Sequence, residues 1–148
     1  LERHWLSVMA GGYATHGECY IRDNNRDIFW SYGGKFTGES APRLRFLREI
    51  VEKCPFDQMQ RDQVHSDSRH FYCISKGSDF YLMFMRDDLG KKVVWAGDWR
   101  TQAGRHAYQY RMTRYDIWNC RKIEETLLPP GSRVPVTAWT AVTLERVK

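Results

Sequence analysis

FYCISKGSDFYLMFM, the stretch Phe71–Met85, decides the fold. Phe71 to Ser75 reads as one strand, Lys76-Gly77-Ser78-Asp79 as a tight turn, and Phe80 to Met85 as a second strand. The second run is continuously apolar, which at strand length predicts a central strand buried on both faces. Outward from this hairpin the hydrophobic period stays at two. Lys92 to Ala96, carrying Val93, Val94 and Trp95, is another buried run. Ala107 to Tyr115 alternates, with Tyr108, Tyr110 and Met112 on one face and Gln109, Arg111 and Thr113 on the other. A short strand near Lys122 to Thr126, a Leu-Pro-Pro-Gly turn at Leu128 to Gly131 and a closing strand from Trp139 to Arg146 complete the series. Short strands broken by frequent turns predict an antiparallel β-sandwich over 58–148.

Before this region the period is helical. Leu1, Trp5, Val8 and Met9 fall at helical spacing within Leu1 to Ala10, and Gly11-Gly12 stops the helix. Tyr13-Ala14-Thr15 is short enough for one buried strand. Ile21 to Gly38 is rich in turn residues (Asp23-Asn24-Asn25, Gly33-Gly34), with Phe29-Trp30 between them. A second helix starts with Ser40 as N-cap and Pro42 in its first turn. Leu47, Ile50, Val51 and Cys54 share its apolar face, and Pro55 ends it. Gln58 to Ser68 is polar and reads as a linker or long loop. The expected class is therefore α+β, mainly β, with a short helical segment over 1–57 ahead of the sandwich.

Composition narrows the function classes. The formal charge of +5 invites a polyanion, but Lys and Arg are scattered among acids. The densest basic stretch, Arg100, Arg105, Arg111 and Arg114 among Tyr108, Tyr110 and Tyr115, reads better as solvated strand edges than as a nucleic-acid face. No stretch approaches the ~20 apolar residues of a membrane span. Cys19, Cys54, Cys73 and Cys120 lie far apart without a C-x-x-C pair, so neither a zinc site nor a dense disulfide scaffold is expected; free, mostly buried thiols are favoured, with one disulfide left open. No cofactor is implied. No leader is visible, the start at Leu1 reads as a cut end, and free thiols favour the cytoplasm while leaving the compartment open.

Two stretches together resemble a known family: Gly11-Gly12-Tyr13-Ala14-Thr15-His16-Gly17-Glu18-Cys19-Tyr20, and Trp30-Ser31-Tyr32-Gly33-Gly34-Lys35-Phe36-Thr37-Gly38-Glu39-Ser40. They look like the end of the (β/α)8 barrel in bacterial glycoside hydrolases related to the apiosidases, which carry a C-terminal β-sandwich of uncharacterised role. The likeness is close over roughly the first third of the chain. It is looser in the β part, where Asp116-Ile117-Trp118-Asn119 and Trp139 to Leu144 match sandwich elements of that family. The resemblance implies that Leu1 to Ala10 is the seventh barrel helix, Tyr13 to Thr15 the eighth strand and Ser40 to Cys54 the eighth helix. It also implies that the catalytic carboxylates lie on earlier strands, before Leu1.

Glycoside hydrolysis uses two carboxyl groups, about 5–5.5 Å apart for retention and about 6.5–9.5 Å for inversion. Glu18, just after the presumed eighth strand, sits where barrel active sites are built. It either binds sugar hydroxyls in the intact enzyme or plays a structural part, such as pairing with Arg22. Glu39 is read as a favourable charge ahead of a helix N-terminus. His16, two residues before Glu18, shares its face on an extended strand and would converge on the same ligand. The alternative is an ordinary hydrogen-bonded histidine; without a third ligand, a metal site is disfavoured. Tyr20 and Trp30 either stack on a pyranose face or fill space between loop and barrel. Trp95 and Trp139 read as core, and Trp99, in Gly97-Asp98-Trp99-Arg100, as the best exposed sugar platform on the sandwich.

Three functions follow. The first is the C-terminal fragment of a glycoside hydrolase, not catalytic by itself, whose sandwich buttresses the rest of the barrel in a parent chain. The second is a carbohydrate-binding module taking a glycan through Trp99. The third is self-association, because helices cut from a barrel keep apolar faces at Trp5, Val8 and Met9 that either fold back on the sandwich or drive a homodimer.

Overall fold

A computed structural model describes residues 1–15, 20–21, 28–29, 35–36, 38–62, 71–86, 108–130, 132, 134 and 137–147. Helix α1 spans Glu2–Met9 and α2 Ala41–Val51, followed by a 3-10 turn at Phe56–Gln58. Three two-residue strands, β1 (Tyr20–Ile21), β2 (Ile28–Phe29) and β3 (Lys35–Phe36), pair in the order β2-β1-β3. Six further strands make one antiparallel sheet: β4 (Gln60–Arg61), β5 (Phe71–Lys76), β6 (Phe80–Met85), β7 (Tyr110–Asp116), β8 (Arg121–Leu128) and β9 (Thr140–Arg146), ordered β4-β5-β6-β9-β7-β8. The class is α+β and mainly β. Among the described residues, the layer packed on this sheet is the helix pair.

The apolar run of Phe80 to Met85 does occupy the centre of the sheet, paired to β5 on one side and β9 on the other. Its side chains alternate between two cores. Tyr81, Met83 and Met85 join Phe71, Cys73, Tyr110, Met112, Val142 and Leu144 on one face. Leu82 and Phe84 join Ile74, Ala141, Tyr115 and the helices on the other. Burial on both faces explains why this strand carries no polar alternation. The hairpin turn relies on Gly77, whose φ of +52° costs a residue without Cβ nothing, and the Asp79 N–H closes it on the Lys76 carbonyl at 3.0 Å.

Both helices owe their position to the sheet rather than to capping. Neither N-cap makes a side-chain capping bond, including Ser40, whose backbone is already helical at φ −84° and ψ −20°. Pro42 within the first turn sets the start of α2 instead. Trp5 is fully buried and stacks on Phe84, with ring centroids 5.2 Å apart and planes 19° off parallel. Phe46 of α2 meets Tyr115 edge-on at 6.0 Å. Glu2 lies 2.8 Å from Arg86 at the end of β6, an ion pair by distance without hydrogen-bond alignment. Of the two fates foreseen for the apolar face of α1, the structure takes the first: Trp5 and Met9 fold onto the sheet, while Val8 is half-buried toward α2.

Four expectations need correction. Tyr13-Ala14-Thr15 forms no strand, and all three residues are exposed, Tyr13 at 98%; three residues with no backbone ladder to join have nothing to hold them extended. The polar stretch after Gln58 is not all loop, since Gln60–Arg61 pairs with Ile74 and Ser75. The strand near Lys122 to Thr126 runs longer, Arg121–Leu128, with a register skip at Ile123. Trp139 stands before β9 rather than inside it, half-buried and at φ +57°. The run Lys92 to Ala96 lies outside the described residues.

Cys54 and Cys73 are buried thiols outside any disulfide, and Cys120 is a partly buried one. Burial lifts the Cys54 thiol to about 12 and pushes that of Cys73 well up, so both are poor nucleophiles. Among the described residues no helix is long and apolar enough to cross a membrane, and no three metal-ligating side chains cluster.

Candidate functional site

His16, Glu18, Trp30 and Trp99 lie outside the described residues. For Tyr20 the backbone is described: it is the middle of the small sheet, paired with Phe29 and Phe36. That pairing brings the two stretches carrying the family resemblance together in space. Glu39 is exposed and precedes α2, where its carbonyl accepts from the Arg43 guanidinium at 2.9 Å.

Three surface features stand out among the described residues. The first is an apolar groove of about 600 Å³ between the helices, lined by Val8, Leu44, Leu47, Val51 and Phe56. Leu47 also belongs to the core against the sheet, whereas Val8, Leu44, Val51 and Phe56 are half-buried. The second is a bracket between α2 and the β7–β8 turn. Arg43 donates from Nε to the Trp118 carbonyl at 2.9 Å and stacks 4.4 Å from a Trp118 ring centroid. Trp118 is 48% exposed and lies 5.4 Å from Trp139. So the exposed tryptophan of the described surface is one that sequence reasoning passed over in favour of Trp99.

Below Trp118 the turn is built around Asp116. Its carboxylate accepts from the Asn119 backbone N–H at 3.0 Å, from Asn119 Nδ2 at 2.8 Å and from Arg121 Nε at 3.3 Å. Partial burial would raise the Asp116 pKa, but these donors outweigh it and hold the carboxyl below its usual range. A group depressed in the folded state stabilises above its unfolded pKa, and that contribution is lost as pH falls through the folded value. The turn closes through Cys120 at φ +52°, a conformation costing an L-residue about 1–2 kcal/mol. Cys120→Gly relieves that strain against the extra entropy glycine loses on folding, so a net gain of about 0.5–1 kcal/mol is expected. A higher urea midpoint with an unchanged m-value would register it; a lower midpoint would show that the Cys120 side chain packs usefully.

The third feature is a charged trench on the helix-side face of the sheet, beyond the end of α2. One cavity of about 840 Å³ includes Lys53, Lys76, Asp79, Phe80, Glu145 and Arg146 in its lining. A second, of about 350 Å³, shares Lys53, Phe80 and Glu145 with it and extends to Arg111 and Thr113. Tyr115 forms part of its floor; burial, the larger effect, raises its pKa, and hydrogen bonding with Thr143 and Thr113 opposes that rise. Lys76, Asp79 and Phe80 are neighbours in the hairpin, but nothing in the linear sequence sets them beside Lys53, Arg111 or Glu145.

No protein-family model matches the chain, and no curated protein matches it. Among solved structures, the chain is similar to a crystal structure from Bacteroides vulgatus described as a "putative glycoside hydrolase", with 25% identity and a TM-score of 0.62. The match covers 95% of this chain and 30% of that one, so this chain spans less than a third of the length of its structural neighbour.

Proposed function

We propose that the chain is the C-terminal part of a glycoside hydrolase, in which 1–57 are the closing elements of a (β/α)8 barrel and 58–148 a sheet domain that buttresses them. One observation carries this reading: 95% of the chain aligns with less than a third of a protein described as a "putative glycoside hydrolase". The packing supports the buttress role, because the core on one sheet face is shared between helices and strands, with Trp5, Leu47 and Ile50 set against Leu82, Phe84 and Ala141. The groove lined by Val8, Leu44 and Val51 is the face to which the rest of the barrel would attach. On this reading His16, Glu18, Tyr20 and Trp30 contribute sugar contacts at the barrel rim, and the acid/base and nucleophile carboxylates belong to the rest of the parent. The sequence resemblance to the apiosidase-related hydrolases points the same way.

The 148-residue chain is accordingly expected to be inert on a panel of aryl glycosides. Glycosidic cleavage needs two placed carboxyl groups, and this reading leaves the chain with Glu18 alone. Reproducible turnover that disappears in Glu18→Gln would sink it.

A further inference from the structure

We infer that the charged trench binds an acidic oligosaccharide, with a sugar carboxylate held by Lys53 and Lys76. The inference deepens the proposed function and rests on its premise that the parent acts on glycans. It starts from register. Lys76 pairs with Phe80, Phe80 with Glu145, and Glu145 with Arg111, so one unbroken row crosses four strands. Paired residues project to the same face, here the face whose other half α1 and α2 cover. The helix pair stops short of this row, and Lys53, just after α2, overhangs it. Four strands place the ends of the row about 14 Å apart, room for an oligosaccharide of a few rings.

The chemistry along the row is mixed. Half-buried Phe80 at its centre offers an apolar surface to the C–H face of a sugar ring. Within the row Glu145 is paired with Arg111 at 3.1 Å; at its margin Asp79, in the β5–β6 turn, is paired at 3.1 Å with Arg146, which stacks on Tyr108 toward the other face. These pairs are fixed acceptors and donors for hydroxyl groups. Lys53 and Lys76, by contrast, have no acidic partner among the described residues, and both line the same cavity. Two uncompensated ammonium groups select a ligand with a carboxylate. The paired carboxylates of Asp79 and Glu145 are acceptors for sugar hydroxyls, which the deoxyribose-phosphate backbone of single-stranded DNA lacks, and this favours an acidic sugar over a nucleic acid.

Affinity electrophoresis of the intact 148-residue chain through polygalacturonate, a neutral glucomannan and single-stranded DNA decides the matter. Retardation by polygalacturonate is expected, weakening with added salt. The double variant Lys53→Gln/Lys76→Gln should bind about ten-fold more weakly, since two partly exposed ion pairs are lost. Its melting curve should match that of the parent chain, because neither lysine is in the core. Absence of retardation by polygalacturonate, equal retardation of the double variant, or tighter binding to DNA would each overturn the inference. Binding to the neutral glycan alone would also overturn it, while leaving the glycoside hydrolase parentage standing. Turnover of aryl glycosides bears on that parentage and not on the trench.

Discussion

Trp5→Ala is expected to lower stability by about 3–5 kcal/mol, the range for deleting a fully buried tryptophan. Trp5 is the largest wholly buried side chain of α1 and the one that stacks on central strand β6 through Phe84. Its loss leaves a cavity between helix and sheet that the central strand cannot move to fill, being paired on both sides. What then holds α1 is Met9, beside the half-buried Glu2–Arg86 pair, which contributes little on its own. One detail separates the ring from its nitrogen. Trp5 Nε1 is buried without a hydrogen-bond partner among the described residues, so Trp5→Phe removes a penalty of about 1–3 kcal/mol along with some packing and is expected to cost far less than the alanine variant. Urea unfolding followed by far-UV circular dichroism reads both. An alanine variant within 1 kcal/mol of the parent chain would place Trp5 outside the cooperative core, contrary to its packing.

What the sequence made legible was whatever rests on hydrophobic period. The Phe71–Met85 hairpin, the alternation from Tyr108 to Met112 and both helices follow from side chains that must face a core, and burial obeys them. The failures share the opposite property. Gln60 and Arg61 are both exposed, so β4 is an edge strand with no apolar signal. β8, the other edge, exposes or half-exposes every residue, and only its central part looked like a strand. Trp139 adopts a left-handed turn conformation that its bulk gives no reason to expect, and it is held there by backbone bonds from its N–H to the Met85 carbonyl and from the Ile117 N–H to its own carbonyl.

The candidate site was less legible, for a physical reason. Lys76, Phe80, Glu145 and Arg111 come from four strands whose order, β5-β6-β9-β7, places the last strand of the chain between two earlier ones. Period identifies which face a residue occupies but not which strand lies beside it, so a row of this kind exists only once the sheet is assembled. In Asp116-Ile117-Trp118-Asn119 the turn chemistry is local, Asp116 bonding Asn119 three residues on, yet from the residues alone the stretch reads only as a likeness to a sandwich element and not as a turn.

Met83→Asp should abolish folding at neutral pH, the larger of the two effects. Met83 has no exposed surface and sits in register between Cys73 of β5 and Val142 of β9, both themselves buried. The core around it is built from Phe71, Tyr81, Met85, Tyr110, Met112 and Leu144. The Tyr110 hydroxyl there already donates to the Ser78 carbonyl at 2.8 Å, and Arg146, which stacks on Tyr108 at the margin of this core, is already paired with Asp79 at 3.1 Å. A carboxylate placed there must stay ionised without a partner or take up a proton. Either outcome costs several kcal/mol, set against a total stability of about 5–15 kcal/mol for a domain. The volume-conserving change Met83→Leu separates charge from shape, because thioether and isobutyl groups fill similar space and the swap costs less than about 1.5 kcal/mol. A cooperative melt for Met83→Leu and none for Met83→Asp is the expected pair of traces. Should Met83→Asp melt cooperatively at neutral pH, water would have to reach the centre of the sheet, and the face carrying Met83, Val142 and Leu144 could not be the closed core that its burial describes.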